Sequence, residues 1–332
     1  MGPPAPVAAC RTAVREALRD LVGQPNPRVL VAVSGGADSL ALLAASCFVG
    51  PRLGVSVGAV TVDHGLQHGS LERARRVAAH ASALGADPVS VWHVTVDGPG
   101  GPEAAARRAR YRALRTQARA ARADAVLLAH SRDDQAETVL LGLARGSGSR
   151  SLAGMGVAGG LFRRPLLGLP RETLVAAAGA AAASDDGLTP WDDPHNSDPA
   201  YLRARVRHQV LPVLEAEIGP GVAAALARTA ELLRADADAL DEWAEREAVR
   251  LVQADCVDAV GLSALPRAVR TRVLRQAALQ AGSAPSDLTA AHVRTMDGFV
   301  MGEVSGLSLD LPGRVRATRV GGRLRLSRDV PG

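Results

Sequence analysis

Six consecutive residues, Ser34-Gly35-Gly36-Ala37-Asp38-Ser39, bring two glycines, two hydroxyls and a carboxylate together. That set is suited to holding a polyphosphate. The glycines let backbone turn sharply and approach a ligand closely, and N–H groups opening a helix just behind them favour an anion. Ser34 and Ser39 add hydroxyl donors, and Asp38 can carry a Mg²⁺ bridged to phosphate. A lysine-bearing P-loop, GxxxxGK(S/T), is excluded because all 39 basic residues of this chain are arginine.

A second set of groups follows the segment Leu128-Ala129-His130. Asp133 and Glu137 stand one helical turn apart, where like charges repel by roughly 0.2–0.5 kcal/mol. The arrangement makes sense with a cation between them, either Mg²⁺ shared with Asp38 or the ammonium of a substrate. Ser131 with Asp134 three residues on is a capping box, which opens a helix without using Asp133 or Glu137. His64 and His130 each end an apolar run, where either a ligand contact or a structural role fits. Further basic groups are periodic: Arg108, Arg112, Arg115, Arg119 and Arg122 fall on one helical stripe, a solvated face or a nucleic-acid surface. Arg107, Tyr111, Leu114 and Ala118 mark another face, so Arg107, and with it Arg110, is expected to point to a sheet edge and meet phosphate or substrate. Arg203, Arg205 and Arg207 alternate ahead of a helix, a cluster suited to nucleic-acid phosphates or an anionic intermediate.

The elements that must position these groups read as alternating strands and helices. Strands are expected at Arg28–Val33, Val55–Val62, Val89–Val96 and Ala125–Ala129. Helices are expected at Leu40–Phe48, Glu72–Leu84, Glu103–Ala123 and Gln135–Ala144. This order predicts an α/β fold with a doubly wound parallel sheet, in which ligands bind beyond the carboxyl ends of the strands. Each candidate group sits at such an end. Gly146–Gly160 and Pro190–Pro199 read as long loops. A boundary near Gly219-Pro220-Gly221 divides the chain into a catalytic domain, 1–218, and a smaller, mainly helical domain, 219–332. The second opens on one long helix or two over Val222–Val252 and ends on a β-hairpin over Arg314–Arg328. It carries Arg267, Arg270, Arg272 and Arg275 on a further helix and Arg314, Arg316, Arg323 and Arg325 on the hairpin, but no glycine-rich phosphate loop, so it is expected to recognise RNA and not to be a second catalytic unit.

Net charge +5 over 332 residues and an isoelectric point near 10.0 favour an anionic partner, most commonly nucleic acid. Cys10, Cys47 and Cys256 are far apart and form no CxxC pair, which argues against a zinc ribbon or redox dithiol. No signal-like segment opens the chain, and the apolar stretch Leu174–Ala183 is too short to span a bilayer. A soluble, cytoplasmic protein without a membrane partner is expected; oligomeric state is open, a homodimer included.

The full SGGxDS motif after Val29–Val33 resembles the signature of the PP-loop ATP pyrophosphatases, and the remaining motifs are similar to those of the tRNA(Ile)-lysidine synthetase family. Asp63-His64-Gly65-Leu66 with Ser70 resembles its VDHGLRxxS, with Gln67 in place of Arg. Glu103 to Tyr111 is similar to EAxARxxRY, and Leu128 to Thr138 to LAHHxDDQAET, with Ser131 in place of the second His. Arg145-Gly146-Ser147-Gly148 with Gly154-Met155, and Arg164 to Leu167, match RGSG…GM and RPLL. Asp193 to Pro212 resembles DPSNxD…RNRxR…LP, with His195 and Ala204 departing from it. The resemblance spans about residues 28 to 215.

It implies an enzyme that adenylates the wobble cytidine of the CAU-anticodon tRNA(Ile) with ATP and Mg²⁺, then ligates L-lysine to C2. On this resemblance Asp38, Arg107, Asp133 and Arg207 are expected to be catalytic, with Asp38 and Asp133 at the metal. Ser34, Gly35, Gly36, Ala37, Asp38, Ser39 and His64 are expected to bind ATP; His130, Asp134 and Glu137, lysine; Arg108, Arg112, Arg115, Arg119, Arg203 and Arg205, tRNA. Another PP-loop ligase or a tRNA thiolase is the rival among enzymes, the thiolase disfavoured by the missing cysteine pair. A non-catalytic nucleotide-sensing or RNA-binding module is the rival outside enzymes, disfavoured by the intact SGGxDS and DDQAET stretches.

Overall fold

Val29, Leu30 and Val31 are buried on both faces of their strand, as a central parallel strand requires. The computed structural model describes residues 2–328 apart from 66, 68, 98–100, 147, 185–187 and 304–307. Leu66 and Ser147 of the motifs above therefore lie outside the described residues, as do the side chains of Glu103 and His195. Strands β1 (Arg28–Ala32), β2 (Ser56–Asp63), β3 (Val89–His93) and β4 (Ala125–Leu127), with the short β5 (Ala158–Gly159) and β6 (Phe162–Arg163), form one sheet in the order β3-β2-β1-β4-β6-β5. All neighbours are parallel except β5 and β6. The chain order turns back at β1, with β2 on one side and β4 on the other, which makes the carboxyl ends of β1 and β4 the switch point of the sheet.

Helices α1 (Ala5–Ala17), α2 (Ala37–Val49), α3 (Ser70–Ala83), α4 (Gly101–Ala121), α5 (Arg132–Ala144), α6 (Ser149–Leu152) and α7 (Arg171–Ser184) surround this sheet. Val14, Leu42, Leu43 and Leu174 pack with Val29 and Val31 on one face. Leu114 and Ala118 pack with Leu30, Val60 and Val126 on the other. The apolar stretch Leu174–Ala183 lies in α7, which buries Leu174, Ala177 and Ala178 against the sheet and leaves Val175 exposed. Helix α2 starts three residues earlier than the sequence suggests, which places Asp38 in its first turn.

Two separated motifs meet in the fold. The Gln135 side chain donates to Met155 O at 3.0 Å and accepts from Met155 N at 2.8 Å. Gly154 is the residue that permits this approach: its φ is +59°, and a Cβ there would lie 2.6 Å from Gln135 Oε1. The glycine-methionine pair is therefore a packing device beneath α5 and not a ligand contact.

The segment after Tyr201 is helical, not extended: α8 (Leu202–Arg205), one π-helical turn (Val206–Val210) and α9 (Leu211–Glu217) run on without a break. The alternation of Arg203, Arg205 and Arg207 is consequently a helical spacing, with Arg203 and Arg207 on one face and Arg205 off it. Ala136, Leu141, Val206 and Leu211 cluster with Ala223 and Leu226 of α10 (Val222–Leu251).

The chain divides into two compact units, residues 1–233 and 234–332, with the division inside α10. The second unit contains β7 (Val252–Gln253), β8 (Cys256–Asp258), α11 (Ala259–Ser263), α12 (Arg267–Gln280), α13 (Ala290–Met301), β9 (Ser308–Leu311), β10 (Val315–Val320) and β11 (Arg323–Arg328). Its antiparallel sheet has the order β7-β8-β11-β10-β9. The expected terminal hairpin is β10 and β11, turning at Gly321-Gly322. Leu262, Leu274, Met296, Phe299 and Leu324 form its core. Among the described residues, no single helix is long and apolar enough to cross a membrane.

Candidate active site

The Ser34–Ser39 loop leaves the carboxyl end of β1 and enters α2 directly. Ser39 Oγ organises it from within, accepting from Ser34 N at 3.2 Å and Gly35 N at 3.1 Å and donating to Gly36 O at 2.8 Å. Ser39 is buried, so its hydroxyl shapes the loop and does not stand free as a donor. Gly35 adopts φ +90°, and a Cβ would fall 2.9 Å from Val77 Cγ2, so only glycine fits. No side chain caps α2, which leaves the first-turn amides of Ala37 and Asp38 to an incoming anion.

Beside the loop lies a buried network of opposite charges. The expected capping box is present: Asp134 Oδ2 accepts from Ser131 N at 2.7 Å, and Ser131 Oγ accepts from Asp134 N at 3.3 Å. Asp134 Oδ1 accepts from Arg171 Nη2 at 2.8 Å and Arg207 Nη2 at 3.0 Å. Arg207 Nε donates to Glu137 Oε1 at 2.6 Å. Arg171 Nη1 lies 3.3 Å from Asp38 Oδ2, and its main-chain N donates to Asp133 Oδ2 at 2.8 Å. The cation expected between Asp133 and Glu137 is thus not centred on that pair: Glu137 turns to Arg207, and Asp133 turns to the start of α7.

Four carboxylates face two guanidinium groups here, and two carboxylate oxygens, Asp38 Oδ1 and Glu137 Oε2, are buried with no partner. Burial pushes the Asp38 pKa up to about 6; Arg171 and Arg207 pull against it, and Asp134 and Asp133 add to it. Burial likewise pushes Glu137 up against the pull of Arg207. Burial opposes ionisation of Asp134 too, but Arg171, the Ser131 N–H and Arg207 outweigh it and hold that carboxyl below its usual range.

Because the folded pKa of Asp38 lies above its ordinary value of 3.8, its ionisation is unfavourable in the unliganded fold. That contribution to stability is fully present at low pH and is lost as pH rises towards about 6. A cation that binds ionised Asp38 must displace a proton below that point. ATP affinity measured with Mg²⁺ should accordingly be flat above about pH 6.5 and fall about tenfold per unit below about 6. Titration calorimetry between pH 5 and pH 8 reads this directly, and a flat profile down to pH 5 would contradict it.

The two histidines share surroundings. His64 follows β2 beside Asp63, which accepts from Gly65 N at 3.0 Å and lies 3.2 Å from His93 Nδ1. Burial raises the Asp63 pKa, yet the Gly65 N–H, the Ser70 hydroxyl and His93 outweigh it and bring it below the ordinary value. Burial pushes His64 and His130 down; nearby Arg110 reinforces this in both, while Asp63 and Asp134 respectively oppose it. Both imidazoles are therefore neutral at pH 7. Their Nδ1 atoms and Arg110 Nε are buried and have no partner, so the lining offers polar atoms that a ligand can satisfy.

Of the two arginines expected at the sheet edge, Arg110 is there and Arg107 is not. Arg107 is exposed, its guanidinium 5.0 Å from the Tyr111 ring, and Arg110 turns inward. Arg108, Arg112, Arg115 and Arg119 are exposed as one stripe; Arg112 lies 3.7 Å from Asp97, and Arg122 stands beyond the helix end with φ +51°. Arg203 lies 3.5 Å from Thr138 Oγ1. Arg205 holds its own loop through Pro199 O at 2.6 Å. Arg171 escaped the sequence reading, although Pro170 before it marks a helix start.

A parallel sheet with a glycine loop beyond β1 and an acidic helix start beyond the adjacent β4 defines a PP-loop ATP-using protein. The sequence model of a family described as a PP-loop domain matches residues 9–214, and one described as the TilS substrate binding domain matches residues 258–325. A tRNA(Ile)-lysidine synthase of Thermobifida fusca is 56% identical over 329 residues, 99% of each chain. That of Streptomyces coelicolor is 51% identical over 357 residues, 98% of this chain and 99% of its own. The chain belongs to the tRNA(Ile)-lysidine synthase family. A solved structure of the U34-tRNA thiolase NcsA from Methanococcus maripaludis with its 4Fe-4S cluster superposes with a TM-score of 0.56 at 19% identity, over 69% of this chain and 80% of that one. This last likeness is one of fold alone.

Proposed function

We propose that this chain ligates L-lysine to C2 of the wobble cytidine of a CAU-anticodon tRNA(Ile), through an adenylated tRNA and with ATP converted to AMP and pyrophosphate. The observation that carries the reading is the buried acidic cluster beside the phosphate loop, with Asp38 Oδ1 and Glu137 Oε2 awaiting partners. The cytidine O2 forms a bond to the α-phosphorus, and the bond to the bridging oxygen breaks, its electron pair leaving with pyrophosphate. The lysine ε-amine then attacks C2 and AMP departs with the former O2; the amine proton passes to a base or to solvent. The first-turn amides of α2 receive phosphate oxygens. Asp38, with Asp133 nearby, would hold magnesium, which neutralises phosphate charge when bound. That set fits, because magnesium takes one or two carboxylates and completes its shell with phosphate and water.

Glu137 and Asp134 supply negative charge for the ammonium groups of lysine, and neutral His130 offers a hydrogen-bond partner. Catalysis is then mainly positioning and charge neutralisation. With tRNA and ATP but no lysine, an adenylated tRNA should accumulate, and adding lysine should discharge it as AMP. Release of pyrophosphate without tRNA would point to a different acceptor.

The arginine stripe on α4 is the proposed tRNA surface of the first unit. Replacing Arg112, Arg115 and Arg119 together by Gln should lower the salt slope of tRNA binding by up to about 3, since each phosphate contact adds about 0.7–0.9. ATP affinity should stay unchanged. An unaltered slope in filter binding from 50 to 300 mM salt would mark the stripe as a solvated face.

In the second unit, also proposed to recognise tRNA, three of the four α12 arginines have internal work. Arg270 is buried on Asp297, Arg272 Nε donates to Asp241 at 2.6 Å and Arg275 Nη1 to Leu288 O at 2.8 Å. RNA contact there falls to the exposed Arg267 and to the exposed Arg314 and Arg323 of the hairpin, with Arg316 and Arg325 beside them paired to Asp310 and Asp255 at 2.7 Å.

A further inference from the structure

Arg171 stands apart from the other guanidinium of the cluster in how its donors are used. Arg207 directs Nε to Glu137 at 2.6 Å and Nη2 to Asp134 at 3.0 Å. Arg171 makes one short side-chain bond, Nη2 to Asp134 at 2.8 Å. Its Nη1 contact to Asp38 is 3.3 Å, longer than the ~2.7–2.9 Å of a well-formed charge-assisted bond. Its Nε is buried with no partner, an arrangement that is costly unless a ligand completes it. The main-chain bond to Asp133 fixes the backbone of this residue, and the Asp134 bond fixes Nη2 at the tip of the side chain. Nη1 is left with only its long contact to Asp38 in the first turn of α2, and Nε, on the edge it shares with Nη2, is left with none.

We infer that Arg171 is a phosphate-binding residue of the adenylation step, its Nη1 passing from Asp38 to an oxygen of the departing pyrophosphate. The inference rests on the phosphate-loop part of the proposed function. Asp38 is released by the same movement, so one carboxylate becomes free for a metal as one guanidinium takes up an anion. Arg171 transfers no proton. When the bond between the α-phosphorus and the bridging oxygen breaks, negative charge accumulates on pyrophosphate, and Nη1 meets it with a charge-assisted hydrogen bond from a group that stays protonated.

The test uses the full chain, with Arg171→Met and Arg171→Lys. Binding of inorganic pyrophosphate, without magnesium or tRNA, is read by calorimetry, and adenylation by single turnover with tRNA and ATP but no lysine. Arg171→Met should weaken pyrophosphate binding by more than about tenfold and slow adenylation by about 10²–10³-fold. Arg171→Lys should recover binding only in part, with an unchanged melting temperature. Pyrophosphate affinity within twofold of wild type in folded Arg171→Met would overturn the inference and leave Arg171 as a clamp between α5 and α7. Should Arg171→Met not fold, Arg171→Gln, which also removes the charge, decides: wild-type affinity there overturns it equally. Pyrophosphate binding needs neither tRNA nor lysine, so a wild-type chain that makes no lysidine would sink the functional reading without touching this result.

Discussion

Asp38→Ala should abolish adenylation, by roughly a thousandfold or more, while leaving the protein folded. The side chain sits in the first turn of α2 and belongs to none of the apolar clusters, so truncation opens no core cavity. Its ionised form is disfavoured by burial, so removal takes away an unfavourable charge at pH 7 instead of a stabilising contact. Arg171 keeps Asp134 as a partner at 2.8 Å. The melting temperature should therefore hold or rise slightly, and only the ligand-dependent gain in stability with ATP and magnesium should vanish. Asp38→Asn keeps the shape and should fail in the same way. Single-turnover formation of adenylated tRNA, with a melt on the same sample, separates the outcomes. Wild-type adenylation by either variant would remove Asp38 from the chemistry.

Arg207→Met has the opposite signature, because its effect falls first on stability. Glu137 has no exposed surface and already leaves Oε2 without a partner; losing Arg207 also removes the bond to Oε1. Breaking a buried pair from one side typically costs about 3–5 kcal/mol, since a charge is left behind without compensation. The urea midpoint should drop accordingly, and Arg207→Met combined with Glu137→Met should recover much of the loss. A midpoint unchanged in Arg207→Met would mean that Glu137 is neutral in the fold and that the pair contributes little.

How much of this was legible in the sequence depends on how local each signal is. The β1–loop–α2 unit was readable because strand, glycines and hydroxyls are contiguous. The Ser131–Asp134 cap and the Gly321-Gly322 hairpin were readable for the same reason. Long-range partners were not. Nothing in the spacing says that Arg171 reaches back to Asp38, or that Gln135 grips the backbone of Met155. The error at Arg107 was one of helical phase: buried Ala109, Ala113 and Leu114 set the inner line of α4, and Arg110 lies one turn before Leu114 on that line. Taking half-buried Tyr111 as its centre rotated the reading by about one residue, roughly 100°. The sheet of the second unit escaped because β7 and β8 span two and three residues, too few to show alternation. Its arginines were misread because charge alone cannot distinguish Arg270, buried on Asp297, from an arginine that faces RNA.

The most direct measurement of the central claim is mass spectrometry of nucleosides from a CAU-anticodon tRNA(Ile) transcript incubated with the chain, ATP, magnesium and isotopically labelled lysine. A nucleoside with the mass of cytidine plus lysine less one water, carrying the label, should form at the wobble position with one AMP and one pyrophosphate released per event. An elongator tRNA(Met) sharing the same anticodon should remain unmodified. Unaltered cytidine in the tRNA(Ile), with protein that binds ATP and is folded, would contradict the account.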